Sequence, residues 1–340
     1  MKTLLLILAL LVTPAIAAPL PIRMVVVTTF QHGGEEGFGE MRAWAKDAPQ
    51  KLPFPAGELP LRYDPVRRLL VVSTGMGSPH AAASLMALGS DARFDLRKSY
   101  WLVAAIAGAD PQKASLGSAA WIGTVVDGDY GFEIDPREAP KDWPTGKLPW
   151  FKPTPYEKPL PPDASNNLFP LNTGLRDWAL ALTKDVKLAD SAAMREGRKP
   201  YTDMPQALKP PFVLGGDEIS GQSWWSGWLG NRHAERWMDY WTGGKGRFVM
   251  SAMEDSGIVR SLQMLGKMGL ADPARLMILR TASDYTAPPP GMTAADYVAA
   301  VQKNIPATRE ALSAAFMVGN PVVTEITTNW PRYENSVPGR

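Results

Sequence analysis

The sequence predicts an α/β protein, a three-layer α/β/α fold around a central mixed, twisted sheet. Three observations carry this. Short apolar, β-branched runs recur along the chain at Ile22–Thr29, Leu69–Thr74, Trp101–Ala107 and Trp121–Val126. Glycine-containing turns follow the first two of them, and helix-patterned segments fill the intervals. Strand, glycine turn, helix, strand is the grammar of a sheet covered by helices on both faces, and runs that are apolar throughout suit strands buried on both sides.

The elements follow in order. Gly33–Gly39 is a glycine-rich loop and Glu40–Lys46 begins a helix. The Leu69–Thr74 strand runs into Gly75-Met76-Gly77-Ser78-Pro79, where Ser78 suits an N-cap and Pro79 the first helical position, with helix continuing over Ala81–Leu88. Helices at Leu175–Lys184 and Arg232–Trp241 alternate with strands at Phe212–Leu214, Phe248–Met253 and Leu276–Thr281, and Ala294–Gly319 reads as helical. Between Pro149 and Pro170 seven prolines break all periodicity, which predicts an ordered surface loop. Because the βα alternation continues on both sides of it, residues 22–335 read as one domain with an insertion at 149–170.

Composition bounds the function. Hydrophobic residues at 45% and charged residues at 21% describe a globular chain of 340 residues with a sizeable core. Lys+Arg 36 against Asp+Glu 34 leaves +2, too little to draw the whole molecule to nucleic acid or an anionic membrane. The absence of cysteine excludes disulfides, thiolate nucleophiles and iron–sulfur clusters. At the N-terminus, Lys2, the apolar Leu4–Val12 and the small-x-small Ala15-Ile16-Ala17 form a cleavable export leader, residues 1–18. The mature chain then begins near Ala18 or Pro19 and is expected in a periplasm or outside the cell. No later segment approaches 18 consecutive apolar residues, so stable membrane insertion through helices is not expected.

Candidate chemistry sits at strand ends. Ser73-Thr74-Gly75-Met76-Gly77 lies where α/β folds bind ligands, but it lacks the third glycine of a dinucleotide fingerprint and opens the second βα unit. A plain tight turn explains it equally well. The three histidines, His32, His80 and His233, fit no zinc pattern, and no G-x-S-x-G elbow is present; neither metal nor organic cofactor is expected. Glu40, Glu254 and Asp284 each follow an apolar strand, as catalytic acids or as turn and helix-cap residues. Four of the 12 tryptophans fall within Trp224–Trp237, for packing or for stacking on a flat ligand.

Taken together, several ordered blocks resemble the purine nucleoside permease (NUP) family: VVVTTF at 25–30, Glu40 four residues before Trp44, STGMGSPHAAASLMAL at 73–88 and FEIDPRE at 132–138. GDEISGQSWWSG at 216–227, TGGKGRFVMSAMED at 242–255 and LRTASDY at 279–285 complete the set. More distantly the landmarks are similar to nucleoside phosphorylases and methylthioadenosine nucleosidases. That resemblance implies their fold and a set of roles. Asp284, beside Ser283, would protonate N7 of a purine and Glu40 would activate water. Met253-Glu254 would hold the ribose hydroxyls, and Thr74, Gly75 and Gly77 with Gly108 of IAGAD would line the substrate. The segment from Asp217 to Trp224 and Trp225 would bring an aromatic ring to the base. Phosphorolytic relatives hold phosphate with arginines, whereas Leu102-Val103-Ala104-Ala105 offers no cation and the first loop carries Glu35 and Glu36. Hydrolysis of a purine nucleoside to base and ribose is therefore expected. The alternative is a non-catalytic nucleoside-binding component of a transport route, and a dinucleotide-dependent oxidoreductase is disfavoured. The oligomeric state, homo-oligomer or monomer, stays open.

Overall fold

The protein is described by a computed structural model covering residues 18–339, apart from residues 36, 162 and 306. Residues 1–17, all but the last of the expected leader 1–18, lie outside the described residues. Ten strands build the central sheet: β1 Met24–Thr28, β2 Gln50–Leu52, β3 Leu61–Asp64, β4 Leu69–Ser73, β5 Tyr100–Ala109, β6 Ala119–Asp127, β7 Leu168–Pro170, β8 Val213–Ser220, β9 Phe248–Ala252 and β10 Leu276–Tyr285. Their order is β7-β6-β8-β9-β5-β1-β4-β3-β2, and β10 pairs with both β5 and β6. Strands β6, β8, β9, β5 and β10 thus close a circuit, so half of the sheet curls into a barrel-like ring while β1 to β4 extend from it.

Alternation along the strands explains why the apolar runs look continuous. Val25 and Val27 of β1 face one core with Trp101, Val103 and Ala105 of β5. Met24 and Val26 face a second core with Tyr100, Leu102 and Ala104. Each strand residue is apolar because each side of the sheet is covered. Helices α2 (Ser78–Gly89) and α6 (Asp255–Lys267) pack against each other. Their Leu85, Leu88, Ile258 and Leu262 belong to the first core. The second core takes Met41 and Trp44 of the short α1 (Met41–Ala45), Leu175 of α3 (Thr173–Thr183) and Val318 of α8 (Thr308–Thr328). Full burial of one such aliphatic side chain contributes about 1.5–3 kcal/mol, which is what holds the layers together.

Several boundaries differ from the sequence reading for identifiable reasons. The strand ending in LRTASDY runs on to Tyr285, so Asp284 lies within β10 rather than beyond it. A register irregularity between Ala282 and Asp284 lets the strand continue past the polar residues. The helical segment at 294–319 splits into α7 (Ala294–Lys303) and the longer α8. Helix α2 starts at Ser78 with Gly77 as its cap, at φ +90°, one residue earlier than the Ser-Pro pattern suggests. The proline-rich stretch is packed: Tyr156, Leu160 and Ala164 rest on the Trp237, Tyr240 and Trp241 face of α5 (Trp228–Thr242), which accounts for part of the tryptophan excess as core. Among the described residues, no helix is long and apolar enough to cross a membrane.

Candidate functional site

Four parallel strands, β1, β4, β5 and β10, bring their C-terminal ends to the point where β9 crosses β5 in the opposite sense. Ligands in such folds bind at crossings of this kind. Polar side chains from five strand ends meet here, with a buried arginine at their centre.

Arg280 of β10 is fully buried. Its Nε and one terminal nitrogen donate to both oxygens of Asp255 at 2.8 Å. The same terminal nitrogen donates to Glu254 Oε2 at 2.9 Å, and the other to the Ile106 carbonyl at 2.9 Å. Glu218 stands 3.7 Å from Nε. Buried ions are tolerated only when paired and hydrogen-bonded, and this guanidinium makes four hydrogen bonds from its five N–H groups. Arg280 stays charged because Asp255, Glu254 and Glu218 outweigh the cost of burying it. Burial, and then the neighbouring Asp255, push Glu218 well above the usual carboxylate range.

Glu254, the cap position of α6, is thereby fixed from two sides. Its Oε2 takes Arg280 and its Oε1 accepts the Gly77 N–H at 2.9 Å. The next amide of α2, on Ser78, donates to Gln222 Oε1 at 3.2 Å, and Ser78 Oγ donates to the Met253 carbonyl at 3.0 Å. The glycine turn thus has a job beyond turning. Its first helical amides are satisfied by side chains from β9's end and the β8–α5 loop, which clamps three elements together. Thr74 is buried and spends its hydroxyl on the Gly75 carbonyl, and Gly75 sits at φ +86°.

Glu40 arrives from the first loop. Its Oε2 accepts the Thr29 N–H at 2.6 Å and the Phe30 N–H at 3.0 Å, and its Oε1 accepts the Ile106 N–H at 2.8 Å. Ile106 is a bridge: its N–H serves Glu40 and its C=O serves Arg280. Burial pushes the Glu40 carboxyl up to about 7, against the three amides and Arg280, which favour its charged form.

Asp284 is 3% exposed and lies against Gly108. One of its oxygens meets the Ser283 hydroxyl at 3.4 Å, and the other is buried with no hydrogen-bond partner. Burial pushes it up to about 7, opposed by the Trp224 indole and the Ser283 hydroxyl. A carboxyl held near neutrality with an unpartnered oxygen can present a proton to an acceptor. Gly108 is required for this: a Cβ there would stand 2.8 Å from Asp284 Oδ1. Gly108→Ala is expected to displace the carboxyl, lowering stability by about 1–3 kcal/mol. A lower melting temperature than the parent's checks it.

Trp224 forms one wall of a cleft of about 960 Å³ with Phe30, His32 and Phe38; the α7–α8 joint around Ile305 and Arg309 forms the other. This volume lies within the range of small-molecule sites. Trp225 goes elsewhere: its ring stacks on Phe248 at 6.3 Å and lines a separate cavity of about 500 Å³ with His233. Asp217 is also apart from the cluster. Its carboxylate accepts the Arg247 N–H at 2.6 Å and is influenced by Arg176 and Thr124. A register irregularity between Asp217 and Glu218 turns Glu218 toward Arg280 instead. The structure thus brings Glu218, and not Asp217, to the cluster around Arg280. Two further expectations change. A cation does stand at the centre, although Glu254 and Asp255 already pair with it. The first loop is less acidic than its composition suggests, since Glu35 pairs with Lys51 and Arg62. Arg280, Glu218, Asp255 and Gln222 escaped the sequence reading. A charge inside an apolar run, as in LMILRTASD and VLGGDEIS, was the available signal. Among the described residues no group of side chains is arranged to hold a metal ion.

Comparison with known proteins adds to this geometry. Residues 21–338 match the family described as purine nucleoside permease (NUP). The chain belongs to the purine nucleoside permease (NUP) family. A purine nucleoside permease of Candida albicans is 28% identical over 270 residues, covering 78% of this chain and 65% of its own length. The chain thus spans just under two thirds of that relative. A probable purine nucleoside permease of Schizosaccharomyces pombe is also 28% identical over 270 residues, covering 76% of each chain. Among solved structures, the 5′-methylthioadenosine/S-adenosylhomocysteine nucleosidase of Neisseria meningitidis, in complex with methylthio-immucillin-A, superposes with a TM-score of 0.53 at 14% identity, covering 89% of this chain and 99% of that one. Futalosine hydrolase of Helicobacter pylori gives 0.52 at 11%, covering 88% and 97%. Such low identities establish the nucleosidase-like fold for this NUP-family chain, with helices on both faces of the mixed sheet.

Proposed function

We propose that this NUP-family protein binds a purine nucleoside in the Trp224 cleft and hydrolyses its N-glycosidic bond. The observation that carries the reading is the convergence of three carboxyl groups with different environments. Asp284 and Glu40 are held near neutrality, while Glu254 is locked between Arg280 and the Gly77 amide. Cleavage builds positive charge on the sugar and negative charge on the leaving purine. Asp284 would donate its proton to the base. Glu254 would accept the ribose hydroxyls, and Glu40 would take a proton from the attacking water. The engagement of Arg280 by Asp255 and Glu254 supports hydrolysis over phosphorolysis, because both carboxylates already neutralise it.

This chemistry needs Asp284 protonated and Glu40 ionised. Release of free base from inosine or adenosine is therefore expected to peak near pH 7 and fall on both sides. A rate that climbs steadily through pH 9 would contradict the assignment of the acid. Trp224→Ala should weaken nucleoside binding by about 1–3 kcal/mol, as loss of a base-stacking ring does elsewhere. Trp225→Ala should leave binding close to that of the parent, since its ring faces another cavity. Equal effects from both variants would displace the base from the cleft.

A second reading, a non-catalytic nucleoside-binding component of a transport route, has two observations in its favour. The curated relatives are named permeases. Both Glu40 oxygens are also engaged by backbone amides, which a purely structural carboxylate would satisfy equally well. Tight nucleoside binding without base release would select it. In either case we place the mature protein outside the cytoplasm, beginning near Ala18 or Pro19. N-terminal sequencing checks this, and an intact Met1 on the mature protein would contradict it.

A further inference from the structure

At the end of the sheet opposite the candidate site, parallel neighbours β1 and β4 are each preceded by an arginine, Arg23 and Arg68. The Arg23 N–H donates to the Arg68 carbonyl at 2.9 Å, so strand pairing itself sets the two side by side. Arg97 and Lys98, ahead of β5, come to the same place because β5 flanks β1. These four cations line a cavity of about 390 Å³, together with Trp330 from α9 (Trp330–Tyr333).

The acids in that cavity already have partners. Asp95 pairs with Arg97 at 2.6 Å and Glu334 with Lys98 at 3.1 Å. Among the described residues, Arg23 and Arg68 make no ion pair. Arg23 donates one terminal nitrogen to the Thr327 carbonyl at 2.9 Å and stands 5.8 Å over the Trp330 ring. Its Nε is buried with no hydrogen-bond partner. Burial and the neighbouring Arg68 push the Arg23 pKa down, and Glu334 offsets this only in part. Such a like-charge pair is a standing demand for an anion, and guanidinium forks match phosphate oxygens in geometry.

We propose that this cavity binds a phosphoryl group, either free phosphate or a phosphate monoester whose remaining part lies toward Trp330. It is separate from the nucleoside cleft, at the other end of β1 and β4. Phosphate would thus bind the protein without entering the reaction.

Thermal unfolding tests this with inorganic phosphate against sodium chloride at equal ionic strength, and with adenosine 5′-monophosphate in a parallel arm. The expected result is a saturable rise in melting temperature with phosphate beyond that of chloride. Arg68→Gln should weaken half-saturation at least tenfold while retaining nucleoside binding. Arg68 is exposed and makes no side-chain hydrogen bond to another element, so this variant is chosen for folding; Arg23→Gln is the second. A monophosphate response that is stronger than that of phosphate and sensitive to Arg68→Gln assigns the site to esters. Equal responses assign it to the free ion. The proposal is overturned if phosphate does no more than chloride, or if both variants respond to it as the parent does.

Discussion

Asp284→Asn is expected to cut turnover by roughly 10²–10⁴, the usual worth of a positioned general acid, while nucleoside binding persists. Asparagine keeps the shape and the Ser283 neighbour but has no proton to give at neutral pH. The same substitution should stabilise the protein at alkaline pH, and the sign follows from the environment. The folded-state pKa, about 7, lies above the ordinary value of 3.8. The stability linked to this group is therefore fully present below about pH 4 and lost as pH rises through 7. At pH 8 the variant should exceed the parent by on the order of 1–3 kcal/mol, and at pH 4 the two should converge. Activity lost with stability gained is the mark of a strained functional group. A variant that loses both would make Asp284 a structural residue.

Arg280→Met should have the largest effect on folding. It leaves Glu254 and Asp255 buried without a counter-charge, and removing one partner of a buried pair costs about 3–5 kcal/mol. Glu254 would also lose one of its two anchors, so nucleoside affinity should fall even where the fold survives. The deficit should shrink toward acid pH, because protonation removes the charge that Arg280 compensated. Arg280→Lys should recover only part of it. A single ammonium cannot serve both oxygens of Asp255, Glu254 and the Ile106 carbonyl at once. Chemical denaturation at pH 5 and pH 8 reads this directly. A pH-independent deficit would mean that packing, rather than charge, is what Arg280 supplies.

Much of the fold was legible in the sequence because buried strands leave an unambiguous trace. Val25–Val27 and Leu102–Ala105 are apolar at every position since each face meets its own core. The closed circuit was not legible. It depends on β10 inserting between β5 and β6, a long-range pairing that no local pattern announces. In the site, Glu254 and Asp284 could be singled out because they stand at the ends of apolar runs. Arg280 and Glu218 could not, since a charge inside such a run looks like an interruption until its partners are known. Asp217 enters through the family resemblance alone, and only the irregular register between it and Glu218 decides which of the two faces the cluster. Trp224 and Trp225 are adjacent for the same reason, and only the fold separates the ring at the cleft from the ring on Phe248.

In the proposed reaction water, and not phosphate, accepts the sugar. Purified mature protein incubated with inosine and with adenosine, in phosphate and in a phosphate-free buffer of equal ionic strength, tests it through the identity of the products. Free base and ribose are expected at the same rate in both buffers, even with phosphate bound at the far end of the sheet. Ribose 1-phosphate formed only when phosphate is present would contradict it.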